Sequence, residues 1–320
     1  MTRGVTVALT FVAVSCGLEP RRGYECLAPA NAGGGWDLTC RTATQSLNEL
    51  GIVTEPFRVR NMPGAGGGVA FAHVVAERDA DENVVIAASP ATTLRLAERQ
   101  FGDFGAEDVR WLAAVAADYG VIAVRQDAPW GDLRALLEEW KRTPSAIVAA
   151  GGSAVGGQDH MRLLLLAEQG GIDLRSVRYV PFDGGGEALT SLLGGFVHVI
   201  PADASEMLPQ YRAGGVRILA VLARERLGAP FEDVPTAREQ GFDVEWLTWR
   251  GFYVPKGIGD EAFSRWVRLF EALTRSAEWE VAARRRGLFP MALTGAPFER
   301  LVLDQIRDFR RLTARLGLIS

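Results

Sequence analysis

An α/β fold built on a parallel sheet is predicted by three observations. Short apolar runs alternate with helical patterns along the chain; the turn between each run and its helix is made of glycine and other small residues; and this strand, turn and helix unit occurs five times. In such folds the ligand crevice lies at the carboxyl ends of the strands, where the turns gather. At 320 residues the chain suits one large or two medium domains. Its 48% hydrophobic content and 23% charge supply an ample core, and a net charge of -4 with mixed signs leaves no basic footprint for nucleic acid.

The first unit sets the pattern. An apolar run from Cys26 to Ala30 passes through Gly33, Gly34 and Gly35 and restarts as an amphipathic helix at Asp37. A glycine triplet lets backbone N–H groups face a guest, and the helix adds its positive N-terminal end, so the turn suits a carboxylate. A plain strand-to-helix turn would use the same residues. The second unit begins at Val59, turns at Pro63 and Gly64, and enters a helix with Val69, Ala72, Val75 and Ala76 on one face. The third is the strand Val84 to Ala88, with Ser89, Pro90 and Thr92 opening a helix through Gln100.

Trp111 to Val124 holds two apolar runs around Asp118, expected as strands leading into a second domain. A helix over Leu133 to Lys141 and a strand over Ala146 to Ala150 follow. The fourth small-residue turn, Gly151 to His160, contains Gly152, Ser153 and Gln158 and opens a helix over Met161 to Gln169. A hydroxyl and an amide at a helix N-terminus bind a carboxylate without a full positive charge. The fifth unit is Val177 to Pro181, then Gly184, Gly185 and Gly186, then a helix through Leu193. A strand from Phe196 to Ile200 ends in a loop at Pro201 to Ser205, which carries Asp203. Arg217 to Leu222 reads as a strand, Val234 to Gly241 as a short capped helix, and Trp246 to Val254 as the strand returning to the first domain. Residues 260 to 316 read as helical, the last helix starting at Pro297. Arg284, Arg285 and Arg286 before Gly287 suit a helix C-terminus better than a nucleic-acid patch.

Arg3 precedes an apolar run from Val5 to Val14, followed by Ser15 and Cys16, so residues 1–20 read as an export signal, with a buried first strand as the alternative. Cys16 also offers a site for lipid modification. Cys26 sits at the start of its strand and Cys40 in the first turn of a helix beginning beyond the strand's other end. At about 3.3 Å per strand residue and 1.5 Å per helix residue, that turn does not come back level with Cys26, so two free buried thiols are expected.

The segments A-P-A-N-A-G-G-G-W-D-L-T-C-R, N-M-P-G-A-G-G, G-G-S-A-V-G-G-Q-D-H, F-D-G-G-G-E-A-L-T-S-L-L-G-G, V-P-T-A-R-E-Q-G and W-R-G-F-Y-V-P, in this order, resemble the extracytoplasmic solute receptors of tripartite tricarboxylate transporters, the Bug family. The resemblance runs from Tyr24 to Leu316. It implies a type II periplasmic-binding-protein fold of two α/β lobes around a cleft, here residues 24–120 with 250–320, and 121–249. It implies a periplasmic monomer, no cofactor, and delivery of a carboxylate, a tricarboxylate such as citrate or else a dicarboxylate, to an integral-membrane permease of one large and one small subunit.

In that family the loops matching Pro29 to Asp37 and Gly152 to His160 grip the ligand. On this basis Gly33, Gly34 and Gly35 are expected to present N–H groups, Trp36 to wall the cleft, and Asp37 to cap the helix or orient a water. Pro29, Gly64, Ser89 and Thr92 join them from the first lobe. Ser153 and Gln158 would hold the ligand's far end, Gly152, Gly184 and Gly185 line the cleft, and Asp203 accepts a ligand hydroxyl or fixes a loop. Gly156 and Gln158 depart from the serine or threonine pairs of many relatives, which leaves the ligand open.

An enzyme is not expected. Val155 stands where a G-x-S-x-G elbow needs its second glycine, no Walker motif is present, and His73, His160 and His198 lack metal spacing, leaving Ser153 and His160 as the one nucleophile–base candidate. A receptor that signals to a histidine kinase has the same sequence requirements as one that feeds a permease.

Overall fold

The computed structural model describes residues 23–182 and 184–318. The export-signal segment and Cys16 lie outside the described residues, as does Asp183. The fold opens with β1 (Glu25–Ala28), α1 (Gly35–Glu49), β2 (Arg58–Asn61), α2 (Gly68–Glu77), β3 (Val84–Ala88) and α3 (Pro90–Ala97). A 17-residue strand, β4 (Val109–Arg125), then leads to α4 (Leu133–Arg142), β5 (Val148–Gly151), α5 (Gln158–Gln169), β6 (Arg178–Pro181), α6 (Gly185–Leu193), β7 (Val199–Asp203), α7 (Ala204–Arg212) and β8 (Val216–Val221). The chain returns through β9 (Leu247–Pro255) and ends with α8 (Asp260–Thr274), α9 (Ala277–Arg285), β10 (Phe289–Thr294) and α10 (Ala296–Arg315).

The sheet order is β2-β1-β3-β9-β4-β7-β5-β6, with β8 and β10 also paired to β4. β1 pairs in parallel with β2 and β3, and β5 with β6 and β7, whereas β4 and β9 run antiparallel to their neighbours. The sheet is therefore mixed, the antiparallel part being the two strands that join its halves. β4 is the shared member: Val109 to Tyr119 pairs with β9, and Gly120 to Arg125 with β7 and β8. The return passes beside this switch, where Gly120 N–H donates to Trp246 O at 3.0 Å and Trp246 N–H to Leu222 O at 2.8 Å.

Period-two alternation explains the layering of the first half. Leu27, Ile86 and Tyr253 face one core, with α3 and α10, while Cys26, Ala28, Val85, Ala87 and Phe252 face another, with α1 and α8. A third core fills the second half beneath Val121, Ala150, Ala188 and Ile200.

Several expectations are corrected. The two runs at Trp111–Val124 are one strand, because Asp118 is buried and paired rather than at a turn. The strand expected at Phe196–Ile200 is β7, three residues later, and the loop expected at Pro201–Ser205 is its end and the start of α7. Val234–Gly241 forms turns: Thr236 and Glu239 exchange a reciprocal cap at 2.7 and 2.9 Å, but Gly241 (φ +94°) ends the turn before a helix forms. β10 interrupts the C-terminal helices after Gly287, and α2 buries Ala70, Phe71 and Val74 rather than the face through Val69.

Cys26 and Cys40 form a disulfide, with Cα atoms 5.8 Å apart. Helix α1 begins at Gly35, two residues before the expected start, so Cys40 lies in its second turn. Five helical steps at about 1.5 Å return it to the level of Cys26, two residues from the end of a four-residue strand.

Candidate functional site

The N-termini of α1, α3, α5, α6 and α7 follow the carboxyl ends of β1, β3, β5, β6 and β7, the edge at which α/β sheets place a ligand crevice and the candidate site here. Its first-lobe wall is braced from within. Gly33, at φ +85°, donates its N–H to Asp37 Oδ2 at 2.8 Å, and Gly34 donates to Asn31 O at 3.1 Å. Asp37 also accepts from Arg41 Nε at 2.9 Å and Asn61 Nδ2 at 2.9 Å. Burial opposes ionisation of Asp37, but these hydrogen bonds and the Arg41 charge prevail and hold its carboxyl below the usual range. Gly33 and Gly34 thus spend their N–H groups on the loop itself. The first intrahelical bond is Leu38 N–H to Gly34 O, which leaves the N–H groups of Gly35, Trp36 and Asp37 as the helix's free donors.

Trp36 walls this loop. Its Nε1–H donates to Ser89 Oγ at 3.1 Å, and its ring and Pro29 both border Gly67. Ser89 is the N-cap of α3, accepting from Ala91 N–H at 3.3 Å, and the buried Thr92 hydroxyl accepts from Ser89 N–H at 3.4 Å. Gly64 holds φ +130° against Val69. Pro29, Trp36, Ser89 and Thr92 are thereby tied into one wall, with Gly64 at its edge.

The second-lobe wall is tied differently. Ser153 Oγ accepts the Asp159 N–H at 3.1 Å, and Tyr179 OH donates to Ser153 O at 2.6 Å. A Cβ at Gly152 would lie 2.2 Å from Gly185 N, so the loops before α5 and α6 touch through bare backbone. Gln158 opens α5, and its Oε1 is buried with no hydrogen-bond partner among the described residues. His160 Nδ1 accepts the Gly156 N–H at 3.1 Å and its ring lies on Tyr179, 4.8 Å between centroids, so it is not paired with Ser153.

Between the walls lies a buried ionic network that the sequence reading missed. Arg250, on β9, donates through Nη2 to Asp118 Oδ2 at 2.7 Å and Asp203 Oδ2 at 2.8 Å. Arg162, on α5, donates to Asp159 Oδ1 at 3.0 Å, to Thr248 Oγ1 at 2.8 Å and to Asp203 Oδ1. Asp118 further accepts from Ser205, and Asp203 from Thr248 at 2.9 Å. Asp203 therefore fixes the junction of β4, β7, β9 and α5, with both its oxygens occupied by protein donors. Burial opposes its ionisation, but Arg162 and Arg250 hold its carboxyl low; burial and the Asp203 charge together push Asp118 up. Asp159 is raised to about 6, chiefly by burial.

Arg250 joins this network to the first-lobe loop. A Cβ at Gly35 would lie 2.5 Å from its Nη1, and Nη1 donates to nothing among the described residues. A guanidinium edge thus lies against Gly35, the first residue of α1, whose own N–H is free. The signal was present in W-R-G-F-Y-V-P, where an arginine interrupts an apolar strand, and in Asp118, which interrupts another. Two surface hollows of about 550 and 580 Å³ open around Tyr24, at the amino end of β1 and away from this crevice. No cluster of metal-ligating side chains occurs among the described residues, and no helix among them is long and apolar enough to cross a membrane.

Comparison with known proteins identifies the family and the fold. Residues 40–318 match the model of the tripartite tricarboxylate transporter family receptor. BugT of Bordetella pertussis is 27% identical, the match covering 99% of this chain and 98% of that protein. Among solved structures, R. palustris Rpa4515 with adipate superposes with a TM-score of 0.85 at 23% identity, covering 93% of this chain and 98% of the other. MatC from Rhodopseudomonas palustris with bound malate gives 0.79 at 23% identity, over 92% and 99%. The periplasmic binding protein BugD gives 0.81 at 22%, over 93% and 98%. The fold is that of two-lobed periplasmic binding proteins, and the family comprises solute-binding receptors rather than enzymes. The chain belongs to the tripartite tricarboxylate transporter receptor family, the Bug family of solute-binding proteins.

Proposed function

We propose that this protein is a periplasmic receptor that captures a di- or tricarboxylate by closure of two lobes, residues 24–120 with 250–320 and 121–249, and hands it to a two-subunit membrane permease. The carrying observation is that Arg250 Nη1 lies against Gly35, at the N-terminus of α1, where the first helical N–H groups are free. One ligand carboxylate docks there, and a second end reaches Gly152, Ser153, Gln158, Gly184 and Gly185 on the other wall. Adipate in Rpa4515 and malate in MatC are carboxylates bound by proteins of this fold, which supports the reading and sets dicarboxylates beside citrate as candidates.

Closure follows from two-ended binding: a ligand touching both lobes stabilises the state in which they meet. Residues 1–20 would direct export, with Cys16 as the site of a lipid anchor if the mature chain begins there; the mass of the exported protein tests this. The ligand test is a thermal-shift screen of refolded, oxidised protein against citrate, malate, succinate and adipate. A ligand at a hundredfold its Kd stabilises by about 2.7 kcal/mol. A selective shift that Gly35→Ala cuts to about half supports the reading, and no shift with any carboxylate overturns it.

A further inference from the structure

Glu206 is the one acid of the crevice that the protein leaves without a partner among the described residues. It is the third residue of α7, whose N-terminus opens at the end of β7. A Cβ at Gly185 would lie 2.8 Å from its Oε2, so the missing side chain at Gly185 gives the carboxyl room beside the α6 N-terminus. Asp118, Asp159 and Asp203 each accept hydrogen bonds from arginine, whereas Glu206 is partly exposed and joins no hydrogen bond or ion pair among the described residues. It nonetheless feels the Arg250 charge, and Arg250 in turn feels Glu206. A gap wider than an ion pair therefore separates a free carboxyl from a guanidinium whose Nη1 is free.

We propose that Glu206, as a carboxylic acid, and Arg250, through Nη1, together clasp one carboxylate of the ligand, so that the protein binds carboxylates in a proton-linked manner. This rests on the carboxylate-receptor reading and deepens it. The charges of the site favour the proton. Asp118 on β4, Asp159 on α5, Asp203 on β7 and Glu206 face Arg162 and Arg250, two acids more than bases, and Glu187 on α6 is exposed. Adding an anionic ligand to four ionised acids would set like charges together at low dielectric. A neutral Glu206 removes one of these charges and supplies an O–H donor to the ligand oxygen that Arg250 does not reach. Burial, reinforced by Asp203 and opposed by Arg250, with Asp159 and Asp118 adding to the rise, places the Glu206 carboxyl at about 8. It is then mostly protonated at neutral pH.

Arg250 also fixes the sign of the alternative. If the ligand presented an ammonium to an ionised Glu206, affinity would rise with pH, whereas a carboxylate taken by the acid form must bind more weakly as pH rises. The experiment is calorimetric titration of the mature protein with malate, adipate, citrate and aspartate from pH 7 to 9.5, where their carboxylates are fully or very largely ionised. The expected result is a carboxylate affinity falling about tenfold per pH unit above pH 8. Glu206→Gln, which keeps a donor but cannot titrate, is expected to bind with a flat pH profile, and Glu206→Ala to lose at least about tenfold at pH 7, the worth of one charge-assisted bond. Carboxylate binding that is independent of pH, that strengthens with pH, or that keeps its slope in Glu206→Gln overturns the proposal and leaves the receptor reading standing. Failure of all four probes to bind at any pH overturns both.

Discussion

The two walls of the crevice are built from the same device, a glycine-rich turn into a helix, but they are finished in opposite ways. The first-lobe loop is closed on itself: Asp37 gathers Gly33, Arg41 and Asn61, Trp36 is pinned to Ser89, and the Cys26–Cys40 disulfide ties α1 to β1. It meets a ligand as a rigid set of donors. The second-lobe loop rests on bare backbone against Gly185 and leaves two polar groups without partners among the described residues, Gln158 Oε1 and the Glu206 carboxyl. One wall is closed on itself, and the other keeps unpartnered polar groups. In the closure proposed above, a preorganised donor wall would take the ligand first and the second wall would engage it only when the lobes meet.

The contrast breaks most severely at the glycines. Gly152→Ala sets a Cβ 2.2 Å from the Gly185 backbone, which has no side chain to move aside. The α5 and α6 loops must part, and ligand affinity is expected to fall by well over about tenfold, more than the loss of one charge-assisted bond. Gly35→Ala meets the Arg250 Nη1 at 2.5 Å, a side-chain end that can swing. Its affinity is expected to fall about tenfold, the loss of one charge-assisted bond. Calorimetry on both variants checks the order, and equal losses would show that the walls are equally yielding.

The disulfide sharpens the comparison on the stability side. It closes a 14-residue separation on the first wall alone, so Cys40→Ser is expected to cost about 3 kcal/mol in urea unfolding. A single hydrogen bond on the second wall is worth less. Ser153→Ala removes the acceptor for the Asp159 N–H and is expected to cost about 1 kcal/mol. Should Ser153→Ala cost as much as the disulfide, the second wall would be as rigidly preset as the first.

The sequence reveals the walls better than what stands between them. Gly33 to Asp37 and Gly151 to Gln158 are legible because turn chemistry is local, and the strand Val84–Ala88 matches residue for residue. Asp118, Arg162, Glu206 and Arg250 come from β4, α5, α7 and β9, and only tertiary folding brings them together. Each carries a faint local mark, a charge within an apolar run, but nothing local says which charges pair. The disulfide turned on two residues of helix start, since a strand and helix that double back amplify a small boundary error into a wrong distance. Thr236 and Glu239 show the reverse failure, a correct local cap with no helix behind it.

The smallest expected effect concerns Asp37, and its sign follows from linkage. Burial works against its ionised form, but the bonds from Arg41, Gly33 and Asn61 leave its folded pKa below the ordinary 3.8. A group depressed in the folded state contributes stability that is complete above its unfolded pKa and lost as pH falls through the folded one. The first wall should therefore hold its full strength at neutral pH and weaken below about pH 4. Asp37→Asn would remove that dependence while keeping an acceptor for the Gly33 N–H. Urea unfolding at pH 7 and pH 3 should give a smaller gap for the variant than for the parent. If both lose stability equally, other carboxylates set the acid limb, and Asp37 orders the loop by shape rather than by charge.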